Sequence, residues 1–138
     1  MTDFEKLSLL FSCIAFIISV IVYFKNKLYS SAALEASIFA QIASAKVALT
    51  EATENVTIFS EDHSPLGIHE MNNFSSAQKD LLKAYEFACQ HYFSNAINHN
   101  HFKQLYDSEI KQLFSESSYY EIIYTGSYPN LKKFHNNK

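Results

Sequence analysis

Residues 7–24 read LSLLFSCIAFIISVIVYF, and this stretch decides how the rest of the chain is interpreted. It contains no Asp, Glu, Lys or Arg, and Lys25 and Lys27 follow it. A helix of this length extends ~27 Å, close to the ~30 Å thickness of the hydrocarbon core of a bilayer. The stretch therefore predicts a transmembrane helix at residues 7–24, preceded by a short N-terminal tail at residues 1–6, with the lipid bilayer as a partner.

Two other interpretations of this N-terminus stay open. A cleaved signal peptide usually begins with positive charge, whereas residues 1–6 carry net negative side chains, but Ser31 and Ala33 resemble a cleavage site. A lipoprotein signal would use Cys13, although the bulky Phe11 precedes it. An uncleaved anchor fits the length of the apolar run better than either alternative.

The charges at the ends of the predicted span indicate its orientation. Lys25 and Lys27 follow the span, while Lys6 is the only lysine before it. Cytoplasmic flanks carry an excess of lysine and arginine. We therefore expect a single-pass protein of the inner (plasma) membrane, with its C-terminal domain in the cytoplasm.

Small residues recur along one face of the predicted span. They are spaced by four, three and four residues, which places them on one side of a helix. Such a face lets two membrane helices approach closely, so it is a candidate self-association interface. The alternative is that the serine hydroxyls bond only to carbonyls of their own helix. The four residues are Ser8, Ser12, Ala15 and Ser19.

Residues 25–59 predict a long juxtamembrane helix, because residues 28–59 contain neither Gly nor Pro and are rich in Ala. Apolar residues repeat there at alternating spacings of four and three, which gives one continuous seam. This seam favours packing inside an intrachain bundle, and an intermolecular coiled coil is the alternative. The seam consists of Ile38, Ile42, Ala45, Leu49, Ala52, Val56 and Phe59.

The remaining segments predict a loop at residues 60–75, return helices at residues 76–125 and a polar tail at residues 126–138. Ser75 with Gln78, and Ser118 with Glu121, have the spacing of capping boxes that would open helices. Gly126 follows as a helix C-cap. The fold class is therefore all-α: one transmembrane helix continues into a long juxtamembrane helix that packs with two or three shorter helices.

The composition argues against several kinds of chemistry. With two Gly in the chain, a phosphate-binding loop cannot be built, and the basic residues are all Lys, which disfavours nucleic-acid recognition. The six His lack the spacing of zinc ligands, and Cys89 lies on an apolar helix face. We expect no enzymatic activity, no cofactor, no metal and no nucleic-acid partner.

Aromatic residues crowd the last third of the chain. Tyrosine is favoured at protein interfaces, because its ring is apolar and its hydroxyl can stay hydrated. Tyr119, Tyr120 and Tyr124 are therefore a candidate partner surface. The alternative is that these bulky rings close the open end of a small bundle.

The order of one span, a long helix and a compact helical end resembles a group of small bacterial single-pass membrane proteins of unknown function. The sequences LLKAYEFACQHYF at residues 81–93 and LYDSEIKQLF at residues 105–114 carry this resemblance. It implies no functional residue. The main functional hypothesis is a membrane-anchored, non-enzymatic module that binds another protein or itself as a homo-oligomer. The alternative is a membrane-perturbing effector or toxin that oligomerises in the bilayer.

Overall fold

The computed structural model describes residues 3–59 and 65–137, and within these ranges all regular secondary structure is helical. The all-α prediction is therefore confirmed. There are five helices in this part of the chain: α1 (Asp3–Phe59), α2 (Pro65–Phe93), α3 (His99–Ser115), α4 (Ser117–Thr125) and α5 (Pro129–Asn136). The chain divides into an N-terminal unit, residues 1–33, and a C-terminal unit, residues 34–138.

The N-terminal unit contains the apolar part of α1. The helix begins at Asp3, so most of the predicted tail at residues 1–6 is helical, and no helix end separates the predicted span from residues 25–59. The most apolar window of α1 has a mean hydropathy of 1.6, and none of it is buried. One helix is thus long and apolar enough to cross a membrane.

The C-terminal unit has one core cluster, to which all five helices contribute buried residues. From α1 the seam contributes Ile38 and Ile42, which are fully buried, and Ala52. Ala45 and Leu49 are half-buried against the same cluster. The side chain of Phe59, the last seam residue, lies outside the described residues. The remainder of the core is rich in rings, contributed mainly by α2, α3 and α5: Tyr85, Tyr92, Phe102, Tyr106 and Phe134.

The start of α2 differs from the predicted loop at residues 60–75. The helix begins at Pro65, where the fixed φ of proline suits a first helical position, and residues 60–64 lie outside the described part. Ser75 is consequently inside α2 and does not cap it, and Gln78 is buried. Pro65 and Gly67 belong to residue types that disfavour a helix interior, but at a helix start they are tolerated.

The turn between α2 and α3 spans residues 94–98, directly before the helix start at His99. α2 ends at Phe93, and Asn95 has a φ of 56°, a left-handed conformation that asparagine tolerates better than most residues. Asn98 then caps α3, because its side chain accepts a hydrogen bond from the backbone N–H of His101 at 3.1 Å.

The last two helices differ from the prediction. Ser118 does not cap α4, since the N-cap is Glu116 and it makes no side-chain capping bond. Gly126 is the C-cap of α4, as predicted, with an extended φ of −88°. The predicted polar tail at residues 126–138 contains α5, because Leu131 and Phe134 recur at helical spacing and are buried in the core.

Candidate interaction surfaces

The small-residue face of the predicted span is exposed along α1. The Ser12 hydroxyl donates to the Ser8 carbonyl at 3.0 Å, and the Ser19 hydroxyl donates to the Ala15 carbonyl at 2.9 Å. The hydroxyl protons of Ser12 and Ser19 are therefore used within the helix. The face is left with small volume and acceptor lone pairs, which favour close packing rather than hydrogen-bond donation to a neighbour.

The three predicted tyrosines do not share one environment. Tyr119 is buried in the core at 6% exposure, next to Gln78, and burial raises the pKa of its hydroxyl. Tyr120 and Tyr124 are about half exposed, at 50% and 52%. The structure therefore leaves Tyr120 and Tyr124 on the surface, whereas Tyr119 closes the end of the bundle.

The two exposed tyrosines form a pair with a lysine beside it. The ring centroids of Tyr120 and Tyr124 are 4.3 Å apart. The Lys132 ammonium lies 5.6 Å from the Tyr124 ring centroid and donates to the Gly126 carbonyl at 3.3 Å. This arrangement offers two π faces and one positive charge.

A polar cluster joins α1, α2 and α3. One carboxylate oxygen of Glu109 accepts from the Lys46 ammonium and from the Tyr85 hydroxyl, each at 2.6 Å. Burial alone would raise the pKa of Glu109, but these two donors lower it overall. Burial and the bond to Glu109 raise the pKa of Tyr85. An open groove of about 260 Å³ borders the cluster. Because one Glu109 oxygen already accepts from two donors, the cluster is best explained as a link between helices.

A second cluster joins α1 to the start of α3. The Glu35 carboxylate accepts from the His101 ring and from the backbone N–H of Asn98, the latter at 3.3 Å. The Phe39 ring packs edge-on against His101 with centroids 5.3 Å apart. A carboxylate at a helix N-terminus also interacts favourably with the helix dipole. Glu35 therefore anchors α3 against α1.

A third carboxylate joins α2 to α5. Glu86 accepts from the backbone N–H groups of Asn130 at 3.0 Å and Leu131 at 2.8 Å, and from the Asn130 side chain at 2.7 Å. α5 has no side-chain capping bond at its own N-cap, Tyr128. Glu86 thus provides the cap of α5 from another helix.

Sequence reasoning missed the roles of these three acids. Periodicity alone assigns Glu109 to the solvated surface and places Glu35 and Glu86 off the apolar helix faces. The available signal was weak: Glu35 lies three residues before the buried Ile38, and Glu86 lies three residues before the buried Cys89, so both acids border the buried face. Their partners are 24 to 66 residues away in the sequence, which periodicity does not reveal.

The described residues show no grouping suited to metal or thiol chemistry. Within residues 3–59 and 65–137 there is no set of three His, Cys, Asp or Glu side chains that could hold a metal ion. Cys89 is fully buried, and burial raises the pKa of its thiol. Among the histidines, His99 stacks on Tyr92 and contacts the Tyr92 carbonyl at 2.6 Å, which favours a capping role at the end of α2.

The chain matches no protein-family model, no curated protein and no solved structure. The resemblance stated from the sequence therefore stays a prediction. The fold itself defines the class: an all-helical protein in which one helix is long and apolar enough to span a membrane.

Proposed function

We propose that this protein is a membrane-anchored, non-enzymatic helical module that binds another protein, with self-association through its span as one form of that binding. The observation that carries the proposal is the exposed, uncharged stretch of α1. Phe11 is 62% exposed, Phe16 is 70% exposed, and no charged residue occurs at residues 7–24. Such an exposed apolar and uncharged helix surface is suited to a lipid environment.

The free energy of insertion supports an anchor. Twelve residues between 7 and 24 are Leu, Ile, Val or Phe. On an insertion scale of about −0.3 to −0.6 kcal/mol for each, they contribute roughly −4 to −7 kcal/mol. The serine hydroxyls oppose insertion less than free hydroxyls would, because Ser12 and Ser19 bond within the helix.

Membrane retention of the full-length chain tests the anchor. We expect the wild type to stay with membranes during alkaline carbonate extraction, and Ile17→Lys with Ile18→Lys to release it or prevent its insertion. Leu105→Lys, at an exposed apolar residue of α3, is the matched control and should change nothing. An unmodified wild-type chain in the carbonate supernatant, or a chain shortened at its N-terminus, would overturn the proposal.

Self-association through the span has its own test. Because the Ser12 and Ser19 hydroxyl protons are bonded within the helix, packing should carry the association, so Ser12→Ala should preserve crosslinking in membranes. Ser12→Leu with Ala15→Leu should abolish it by enlarging the face. Ile17→Leu with Ile21→Leu, on the other side of the helix, is the control. Unchanged crosslinking in the enlarged variant would exclude this interface.

The bundle supports a role in binding rather than chemistry. Tyr120 and Tyr124 present exposed rings, while the ionisable side chains of the polar clusters are engaged in links between helices. The orientation with the C-terminal unit in the cytoplasm rests on Lys25 and Lys27 and is tested by a C-terminal green fluorescent protein fusion, which fluoresces only there. Growth arrest with membrane depolarisation on overexpression would favour the toxin alternative instead.

A further inference from the structure

The third helix ends before its two neighbours do. Lys46 of α1 and Tyr85 of α2 both contact Glu109 of α3. From that level α3 continues to Ser115, whereas α1 continues to Phe59. At 1.5 Å per residue, α3 extends ~9 Å and α1 ~20 Å, so α1 runs about 10 Å farther. α2 starts at Pro65 and covers the same region.

α4 does not cover the parts of α1 and α2 that extend beyond the end of α3. Its residue Tyr119 contacts Gln78 of α2, and by Tyr128 the chain lies close to Lys83, so it runs back along α2. Met71 lies seven residues before Gln78, ~10 Å farther along the helix. Beyond this level, α1 and α2 have no third helix beside them in the described part of the chain.

The uncovered side continues the buried seam of α2. Ile68, Met71, Ser75, Gln78, Leu82 and Tyr85 follow one another at spacings of three and four residues. Gln78, Leu82 and Tyr85 are buried, yet Ile68 is 66% exposed and Met71 is 65% exposed. Two apolar residues on a core seam are therefore exposed where α3 has ended.

The facing side of α1 is uncharged. Thr53 and Thr57 lie seven and eleven residues after Lys46, on the face that contacts α3. Their hydroxyls donate to the Leu49 carbonyl at 2.7 Å and the Thr53 carbonyl at 2.9 Å. We call the surface formed by Thr53, Thr57, Ile68 and Met71 the tip groove.

The charge around the tip groove is negative. No Lys or Arg occurs between Lys46 and Lys79, although that stretch contains several acidic residues. Glu54 is exposed on α1, and Glu116 lies at the end of α3. In the sequence, the acidic residues of the stretch are Glu51, Glu54, Glu61, Asp62 and Glu70.

We propose that the tip groove receives a helical segment of a partner protein, and this proposal rests on the proposed protein-binding function. The segment would carry an apolar stripe flanked by Lys or Arg. Such a segment would take the position that α3 vacates and bury Ile68 and Met71, as an amphipathic helix does in a hydrophobic groove. Its positive charges would complement Glu54 and Glu116. A second copy meeting tip to tip would bring like charges together, and anionic lipid would be repelled.

A peptide titration on the full-length protein in phosphatidylcholine nanodiscs tests this proposal, with empty nanodiscs as the blank. The probe is a fluorescent peptide of about five helical turns, with Leu at spacings of three and four and Lys elsewhere. A second peptide has Glu in place of Lys, and a third has the same composition with alternating Leu. We expect the first to bind at least about tenfold more tightly than the others.

The variants locate the binding. Ile68→Asn with Met71→Gln should weaken the lysine peptide about tenfold, whereas Ile58→Asn, an equally exposed residue on another face of α1, should not. Glu54→Gln should weaken binding and reduce its salt dependence, with Glu121→Gln as the control. Circular dichroism checks that each variant is folded.

Several outcomes would overturn the proposal: equal binding of the glutamate peptide, no effect of the groove variants, or concentration-dependent self-association that Ile68→Asn with Met71→Gln abolishes, which would make a second copy the occupant. The titration does not depend on extraction or crosslinking in cells. If the titration fails and membrane retention is intact, only the tip-groove proposal is excluded. If retention is lost, the proposal of a membrane-anchored module is excluded.

Discussion

Removing the Glu86 carboxylate should weaken the packing of α5 against the bundle. Glu86 accepts three hydrogen bonds from the start of α5, two of them from backbone N–H groups, and it adds a negative charge at a helix N-terminus. A lost N-cap costs about 0.5–2 kcal/mol, and a hydrogen bond to a charged group contributes about 1.5–3 kcal/mol. Water can satisfy part of the loss because Glu86 is half-buried, so we expect about 2 kcal/mol for Glu86→Ala.

Urea unfolding followed by circular dichroism measures this loss in the full-length protein in detergent. With a slope of about 1.3 kcal/mol per molar urea, the midpoint should fall by about 1.5 M. Glu86→Gln keeps one acceptor oxygen and should lose about half as much. Hydrogen exchange should show the amides of α5 losing protection first.

The control for this experiment is Glu121→Ala, an exposed glutamate of α4. It should change the free energy of unfolding by less than about 0.5 kcal/mol. If Glu86→Ala and Glu121→Ala have the same small effect, or if the α5 amides keep their protection, Glu86 is not the cap of α5 and the reasoning is refuted.

Three further predictions concern the C-terminal unit, each measured by denaturant or thermal unfolding. The pKa of Glu109 is lowered in the folded state, so the ionised carboxylate stabilises the fold above its ordinary pKa, and this stabilisation is lost as the pH falls through the lowered value. Below about pH 4.3 the wild type should therefore lose stability relative to Glu109→Gln. Parallel pH profiles of the two proteins would contradict this. Ile42→Ala, at 1% exposure, should cost about 3 kcal/mol, whereas Val47→Ala, at 58% exposure, should cost less than about 0.5 kcal/mol; similar losses would refute the assigned core. Gly126→Ala should cost about 1–3 kcal/mol, because the added Cβ would lie 2.5 Å from a ring carbon of Tyr128; a neutral effect would mean that this ring moves freely.

Periodicity revealed the elements whose burial repeats along one helix. The seam from Ile38 to Ala52 is buried or half-buried in the structure, and α1 is helical through Phe59, the last residue described before Pro65. These features depend on local spacing, since a helix brings every third or fourth residue to one face. The start of α3 also depends on a local feature, because Asn98 has a residue type that favours caps.

Features that depend on distant contacts were not predictable in this way. The eight residues of α5 contain few apolar side chains, and the helix is held by Glu86 on α2 and by burial of Leu131 and Phe134. Likewise, Tyr119 and Tyr120 are neighbours in the sequence, but only tertiary packing buries the first and exposes the second. Sequence spacing does not determine which of two adjacent rings faces the core.

The buried rings have a spectroscopic consequence. Tyr85 and Tyr106 pack edge to face, with centroids 5.8 Å apart, and the chain contains nine tyrosines and no tryptophan. Near-ultraviolet dichroism of the tyrosine band will therefore report the packing of the C-terminal unit. Excitation at the red edge of the indole absorption will leave this protein dark, so a tryptophan carried by any binding partner can be followed without attaching a label.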